Sequence, residues 1–243
     1  MIKRSLIYLS VTILLSGIYY YTVRDLIMTL VLFLIFNLFF FLFVERKYRK
    51  YAKIDKRTHE CISFINNFII TLSVNNSLNN TFNHIEDSFS KELKAQVETI
   101  EHLQIEEKIK YLKDYFNLNL FEVFLKLIDQ YNYNGGNILQ IAQLLIFDSR
   151  KIENSLESFK KSAKMHFIEF FILWTLTIVI LIIVQISLSI FYQSILKMDF
   201  YKYGVFFFFL VFIGFLFLYL NRLFDLRFVN EGDFKDEKSK KKN

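Results

Sequence analysis

The sequence predicts an all-α integral membrane protein, with four transmembrane helices and an all-helical cytoplasmic bundle between spans two and three. Composition is the first observation behind this: hydrophobic residues make up 53% of the 243 residues and aromatics 19%, and mean hydropathy is +0.30. Those values lie above an ordinary soluble domain. The second is placement, because much of the apolar content, with many of the 30 phenylalanines, sits in unbroken runs at 6–21, 26–44, 170–195 and 204–220. About 18 apolar residues cross a hydrocarbon core of roughly 30 Å at about 1.5 Å of rise each. A strand or loop there would leave peptide groups unpaired in lipid, so each run is read as helical. The third is the absence of proline, together with helical spacing of apolar residues throughout the middle of the chain.

Charge placement sets the expected orientation. Residues 45–57 hold seven basic side chains: Arg46, Lys47, Arg49, Lys50, Lys53, Lys56 and Arg57. Arg150, Lys151, Lys160, Lys161 and Lys164 precede the third run, and Arg222, Arg227 and the lysines of 238–242 follow the fourth. The opposite connections hold only Arg24, and Lys197 with Lys202. The positive-inside rule therefore predicts a multi-pass membrane protein with both termini and the large middle segment cytoplasmic. Every basic cluster abuts a run, so membrane lipid rather than nucleic acid is the predicted partner of these charges. Cys61 is the single cysteine and excludes an intramolecular disulfide. Lys3-Arg4 before an apolar run resembles a signal peptide, but Ser16-Gly17-Ile18-Tyr19-Tyr20 is no small-residue cleavage site. An uncleaved anchor is expected.

In chain order, 1–44 is predicted to hold two spans joined by Thr22-Val23-Arg24-Asp25, a connection just long enough for a tight hairpin. Asn37, in the middle of the second, is expected to pair with another helix rather than mark a transport site. The basic juxtamembrane segment is 45–57 and the cytoplasmic bundle 58–166. Over 58–149 six basic residues face twelve acidic ones inside a chain of net charge +6, which reads as a solvated surface or as an acidic docking face.

Helical stripes follow one another. Cys61, Phe64, Ile65, Phe68, Ile69 and Leu72 mark one helix, interrupted at Asn75-Asn76-Ser77. Leu78, Phe82, Ile85 and Phe89 begin the next; Leu93, Val97, Ile100, Leu103, Ile105, Ile109 and Leu112 supply one or two more. Leu118, Phe121, Phe124, Leu125 and Ile128 form the helix before the only adjacent glycine pair. After it, Ile138, Ile141, Leu145, Ile152, Leu156, Phe159 and Ala163 make a long stripe that runs without a breaker into the third span. Five or six bundle helices are expected. Two C-terminal spans (167–222) and a basic cytoplasmic tail (223–243) complete the chain.

The turn Asn134, Gly135, Gly136, Asn137 is predicted to be structural. Asn134 and Gly135 suit left-handed angles that close a helix, and Asn137 suits the cap of the next, with Gln140 three residues on. No G-x-x-x-x-G-K-[ST] or G-x-G-x-x-G occurs, so a phosphate cradle is not expected.

No catalytic constellation emerges. His59, His84, His102 and His166 lack ligand spacing to one another. His59-x-Cys61 would diverge by about 200° on a helix, and Glu101-His102 lacks the second histidine of H-E-x-x-H. Glu169, near the cytoplasmic end of the third run, is expected to reach the interface or to pair across the bundle. Gln185, with Ser187 and Ser189, is read as a packing contact rather than an ion path. No enzyme activity, cofactor or metal is predicted.

Two stretches carry a resemblance. Phe64-Ile65-Asn66-Asn67-Phe68-Ile69-Ile70-Thr71-Leu72 followed by Asn76-Ser77-Leu78-Asn79-Asn80-Thr81-Phe82 is one; Gly135-Gly136-Asn137-Ile138-Leu139 with the long helix after it is the other. Over residues 58–195 the chain resembles the type II secretion system F domain family. One such domain with two spans on either side resembles the layout of the single-domain tight-adherence (Tad) pilus platform proteins. Where the family turn carries a glycine before Ser-Leu, Asn75 and Asn76 stand here, and asparagine tolerates left-handed angles. The resemblance implies a platform protein of a type IV (Tad-like) pilus or type II secretion-like machine. Its implied partners are a cytoplasmic secretion or pilus ATPase, pilin or pseudopilin subunits, and a second platform protein or another copy of itself. Two rival readings are a transmembrane subunit of an ATP-driven transporter and a membrane sensor with a partner-binding bundle. Spans built mostly of Phe, Leu and Ile argue against the first, and very short outer loops against the second.

Overall fold

A computed structural model describes residues 2–226, with side chains from residue 5 onward. The basic residues Lys3 and Arg4 (as side chains), Arg227 and the 238–242 cluster lie outside this description. The chain is 89% helical with no strand among the described residues. Helices over Ser5–Val23, Leu26–Asn75, Ile138–Ser187 and Asp199–Leu223 are long and apolar enough to cross a membrane. The described residues divide into two compact units, one of residues 2–50 with 160–225 and one of residues 51–159 with Leu226.

The first unit begins with α1 (Ile2–Val23) and α2 (Leu26–Phe39). Their connection is only Arg24-Asp25, shorter than the four residues expected, because the helix runs on through Thr22 and Val23. Arg24 closes α1 at φ 55, its N–H bonded to Tyr20 O at 2.8 Å. The Asp25 side chain starts α2 by accepting from Met28 N, and its carboxylate lies 3.7 Å from Lys202 Nζ in α10 (Asp199–Leu223). Past Phe39 the ladder widens into a π-helical turn, Phe40–Val44, whose exit is marked by Glu45 N–H bonding Phe40 O. The chain then continues directly as α3 (Glu45–Asn75).

Aromatic rings hold this unit together. Tyr19 and Phe36 are fully buried and meet Phe209 edge-on at 5.6 and 6.5 Å. The distal half of α8 (Ile138–Ser187) packs on α10 through Trp174, 4.6 Å from Phe212, and Phe170, 5.5 Å from Tyr219. Its other faces are exposed, with Leu173 at 65% and Ile172 at 59%. The run 170–195 is not one helix. It breaks at Leu188 (φ −114, ψ 42), and α9 (Ser189–Leu196) follows. No glycine or proline stands there, and the only local signal is the flanking pair Ser187 and Ser189, a residue type of modest helix propensity. Tyr192 of α9 donates its hydroxyl to the Thr22 carbonyl, which fixes α9 against the end of α1.

In the second unit, six helical segments surround one core: α3 beyond residue 50, α4 (Leu78–Glu86), α5 (Lys91–Glu98), α6 (Ile105–Phe116), α7 (Asn119–Asn134) and the start of α8. Side chains close the helix ends. Ser77 caps α4 from the Asn80 amide and Ser90 caps α5 from the Leu93 amide. Asn76 (φ 50) and Asn117 (φ 49) take the left-handed conformation that ends α3 and α6. Phe64, 3% exposed, is the hub of the core. The rings of Phe68, Phe82, Phe89, Phe116, Phe121 and Phe124 lie 5.7 to 6.4 Å from its own. Cys61, one turn earlier, is 0% exposed, and burial pushes its thiol well above the ordinary range.

Truncating Phe64→Ala should cost about 3–5 kcal/mol, whereas Val74→Ala, at a side chain 75% exposed, should stay within about 0.5 kcal/mol. Denaturant titration of the full chain in detergent checks this. Thiol alkylation gives a second measurement. Cys61 of the native chain should stay unmodified at pH 8 and react promptly once the bundle is unfolded, because a buried neutral thiol offers almost no thiolate.

Candidate functional site

Three places could hold function: the glycine turn, the polar contacts of the bundle, and the polar residues of the membrane-length helices. At the turn, α7 runs through Asn134, so Asn134 is helical and the positive φ falls on Gly135 (φ 65) and Gly136 (φ 104). The reason is steric: Gly135 combines φ 65 with ψ −160, a region essentially restricted to glycine. Its N–H bonds Tyr131 O at 2.9 Å and so closes α7. Asn137 Oδ1 accepts from Leu139 N at 3.0 Å and caps α8, while Gln140 meets Asn137 through its backbone N–H. Two of the amides that an anion would need are therefore already bonded within the turn. The arrangement is a helix stop followed at once by a helix start.

Behind the turn, Ile138, Ala142, Leu145 and Leu156 of α8 enter the bundle core. Ser149, fully buried, sits with Oγ 3.2 Å from Asn66 Oδ1 of α3 and 2.8 Å from Ile146 O. On the outside, Tyr133 is 93% exposed, Leu144 73% and Phe147 66%. These large apolar side chains are more exposed than core packing would require.

A second group of contacts ties α3 to α5 and α6. Lys56 Nζ lies 2.7 Å from Glu92 Oε2, Tyr115 donates to Glu60 Oε2 at 2.7 Å, and the Arg57 guanidinium stacks 4.5 Å over the Tyr115 ring. The Lys56 hydrogen bond holds the Glu92 carboxyl below its ordinary range and raises Lys56 in turn. Both side chains of that pair are nearly half exposed, so solvent screens the attraction. Burial first, then the Glu60 bond, pushes the Tyr115 hydroxyl up, which keeps it a donor. These groups brace α3 against α5 and α6.

The polar residues of the apolar helices are scattered. Asn37 donates from Nδ2 to Phe33 O of its own helix at 2.8 Å, in place of the expected neighbouring helix; the i−4 carbonyl is the nearest acceptor an amide on a helix can reach. Glu169 pairs with His166 one turn away, Oε2 to Nδ1 at 3.0 Å, with both side chains exposed. It neither crosses to another helix nor stands alone. Gln185 is 7% exposed and reaches from α8 to α1, Nε2 to Tyr21 O at 3.4 Å. Its Oε1 is buried without a hydrogen-bond partner, as are Ser16 Oγ and Tyr19 Oη. The structure does not bring Asn37, Glu169 and Gln185 together through any hydrogen bond or ion pair.

Among the described residues no group of three or more His, Cys, Asp or Glu could hold a metal ion. His59 lies 3.8 Å from Asp55, while Cys61 faces the core. The contacts that sequence reasoning missed, Asn66 with Ser149 and Lys56 with Glu92, join positions far apart in the chain and have no local signature. No family model, curated protein or solved structure matches the chain.

Replacing Gly135 by alanine should destabilise the bundle by about 1–3 kcal/mol from backbone strain. Gly214→Ala, inside α10 with nothing within 4 Å of the added carbon, should not. Thermal unfolding of the two variants, measured side by side in detergent, checks the difference.

Proposed function

We propose that the chain is a multi-pass platform protein of the inner or plasma membrane, within a type IV (Tad-like) pilus or type II secretion-like assembly machine. In this reading both termini and the bundle are cytoplasmic, the bundle receives a cytoplasmic ATPase, and the membrane-length helices meet pilin or pseudopilin subunits and a second platform subunit. One observation carries it: α8 is a single helix of 50 residues. It starts at the Gly135-Gly136 turn, gives Ile138, Ala142 and Leu145 to the bundle core, and ends as an apolar segment long enough to cross a membrane.

A helix with no break along that length carries displacement better than a flexible linker does. Tyr133, Leu144 and Phe147 supply exposed apolar anchors, and the excess of acidic residues over 58–149 suits a basic partner surface.

The test is site-specific crosslinking of the full chain in cells, combined with cysteine accessibility. A photoreactive residue at Tyr133 or Phe147 should give an adduct with a secretion-class ATPase. Met198→Cys should be labelled from outside by an impermeant maleimide, and Tyr133→Cys only after the membrane is opened. Adducts lacking any ATPase, under conditions where the pilus or secreted product is made, would remove the platform reading. Labelling of Tyr133→Cys in intact cells would reverse the orientation.

A further inference from the structure

Where α1, the π-helical turn and the start of α3 meet, the membrane-length unit has a groove of about 700 Å³ with two chemistries. Leu6 and Phe41, 59% and 52% exposed, give it an apolar wall; Arg46 and Arg49, from the first turns of α3, give it a basic rim. The arginines stand three residues apart on a helix, so they share a face. Phe41 belongs to the π-helical turn and Arg46 stands two residues past its end, which places apolar wall and charged rim within one short stretch of chain.

Glu45 also lines the groove, and its carboxylate is already engaged. Arg49 Nε donates to it at 2.8 Å and the Tyr8 hydroxyl at 3.3 Å. The Arg49 bond uses one of the five donors of a guanidinium. Arg46 has no carboxylate partner among the described residues, so the rim keeps one uncompensated positive charge. The groove thus asks for a molecule that is apolar at one end and anionic at the other. Inorganic phosphate would satisfy only the rim, and a neutral lipid only the wall.

We propose that this groove is a site for one anionic phospholipid, its phosphate between Arg46 and Arg49 and an acyl chain along Leu6 and Phe41. The proposal rests on the reading of the four apolar helices as membrane spans, and is independent of the pilus or secretion role. It also separates these two arginines from the rest of the basic segment, because Lys50 and Lys53 belong to the same charge cluster and do not line the groove. Tyr8, with its hydroxyl at the polar end, suits the level of lipid headgroups.

Native mass spectrometry of the full chain released from detergent tests it, with phosphatidylglycerol, phosphatidylcholine and inorganic phosphate as probes. Phosphatidylglycerol should bind in preference to phosphatidylcholine. Arg46→Gln and Arg49→Gln should each weaken it about fivefold, the effect of one basic side chain at an anionic lipid surface, while a Lys50→Gln, Lys53→Gln pair stays within about twofold. Leu6→Trp, which fills the apolar end without changing charge, should weaken it too. Circular dichroism confirms that each variant is folded, and the solvent-facing Arg46→Gln serves alone if the others unfold.

Equal loss in the lysine pair would mean diffuse attraction and overturn the site. So would indifference to headgroup, or displacement by inorganic phosphate with no effect of Leu6→Trp. Alkaline carbonate extraction separates the premise from the proposal. A chain released from vesicles by carbonate fails as a membrane protein, whereas a retained chain without headgroup preference fails only as a lipid site.

Discussion

The helical bundle closes around the ring of Phe64. Phe68 comes to it from the same helix, Phe82 from α4, Phe89 from the connection after α4, Phe116 from α6, and Phe121 and Phe124 from α7. One side chain thus sets the common point for four of the six helical segments. Aromatic pairs at such distances contribute about 0.5–1.5 kcal/mol each beyond the area they bury, so losing the hub loosens several pairs at once. Helix α5, which sends no ring, is held by Leu93 and Val97 in the core and by the Lys56 contact to Glu92 at its edge. Helix α8 enters with small and aliphatic side chains, Ala142 among them, and lies close to α3 where Ser149 meets Asn66. The network of Arg57, Glu60 and Tyr115 then locks α6 onto α3 from outside.

Much of this was legible because helical spacing is a direct image of burial. Cys61, Phe64, Ile65, Phe68, Ile69 and Leu72, picked out by spacing alone, are all buried. Asn76 takes the positive φ that a short polar side chain tolerates, which kept the turn between α3 and α4 readable without a glycine. What periodicity could not convey was any departure from a regular ladder. The π-helical turn at Phe40–Val44 lies inside an apolar run whose composition does not change, and the break at Leu188 falls where neither glycine nor proline marks it. Long-range polar pairs were invisible for a different reason: a hydroxyl at Ser149 and an amide at Asn66 advertise nothing until the fold places them together. Asn37 erred in the other direction, since a long-range partner was expected where the helix's own Phe33 carbonyl suffices.

Of the readings that bear on function, the layout of four long apolar helices was legible in the sequence. Residues that could do chemistry are present but dispersed: each histidine is away from the others in the chain, the one thiol is sealed in the core, and the carboxylates with close partners serve as helix braces. Charge is unevenly distributed, acidic over 58–149 and basic at 45–57. The groove at Arg46 and Arg49 shows how a generic feature, a basic run after a span, acquires shape once a neighbouring helix supplies an apolar wall.

The turn at Gly135-Gly136 has a consequence for how such a chain can drift in sequence. An added carbon at either glycine would meet nothing within 4 Å, so there is ample room for a larger residue. What forbids it is the sign of the backbone angle. The constraint is therefore one of handedness: a D-alanine would sit there comfortably, and the genetically encoded mirror image would not. No contact map records such a requirement, since no neighbour enforces it. The only unit of the code able to meet it in full is the one amino acid without a hand.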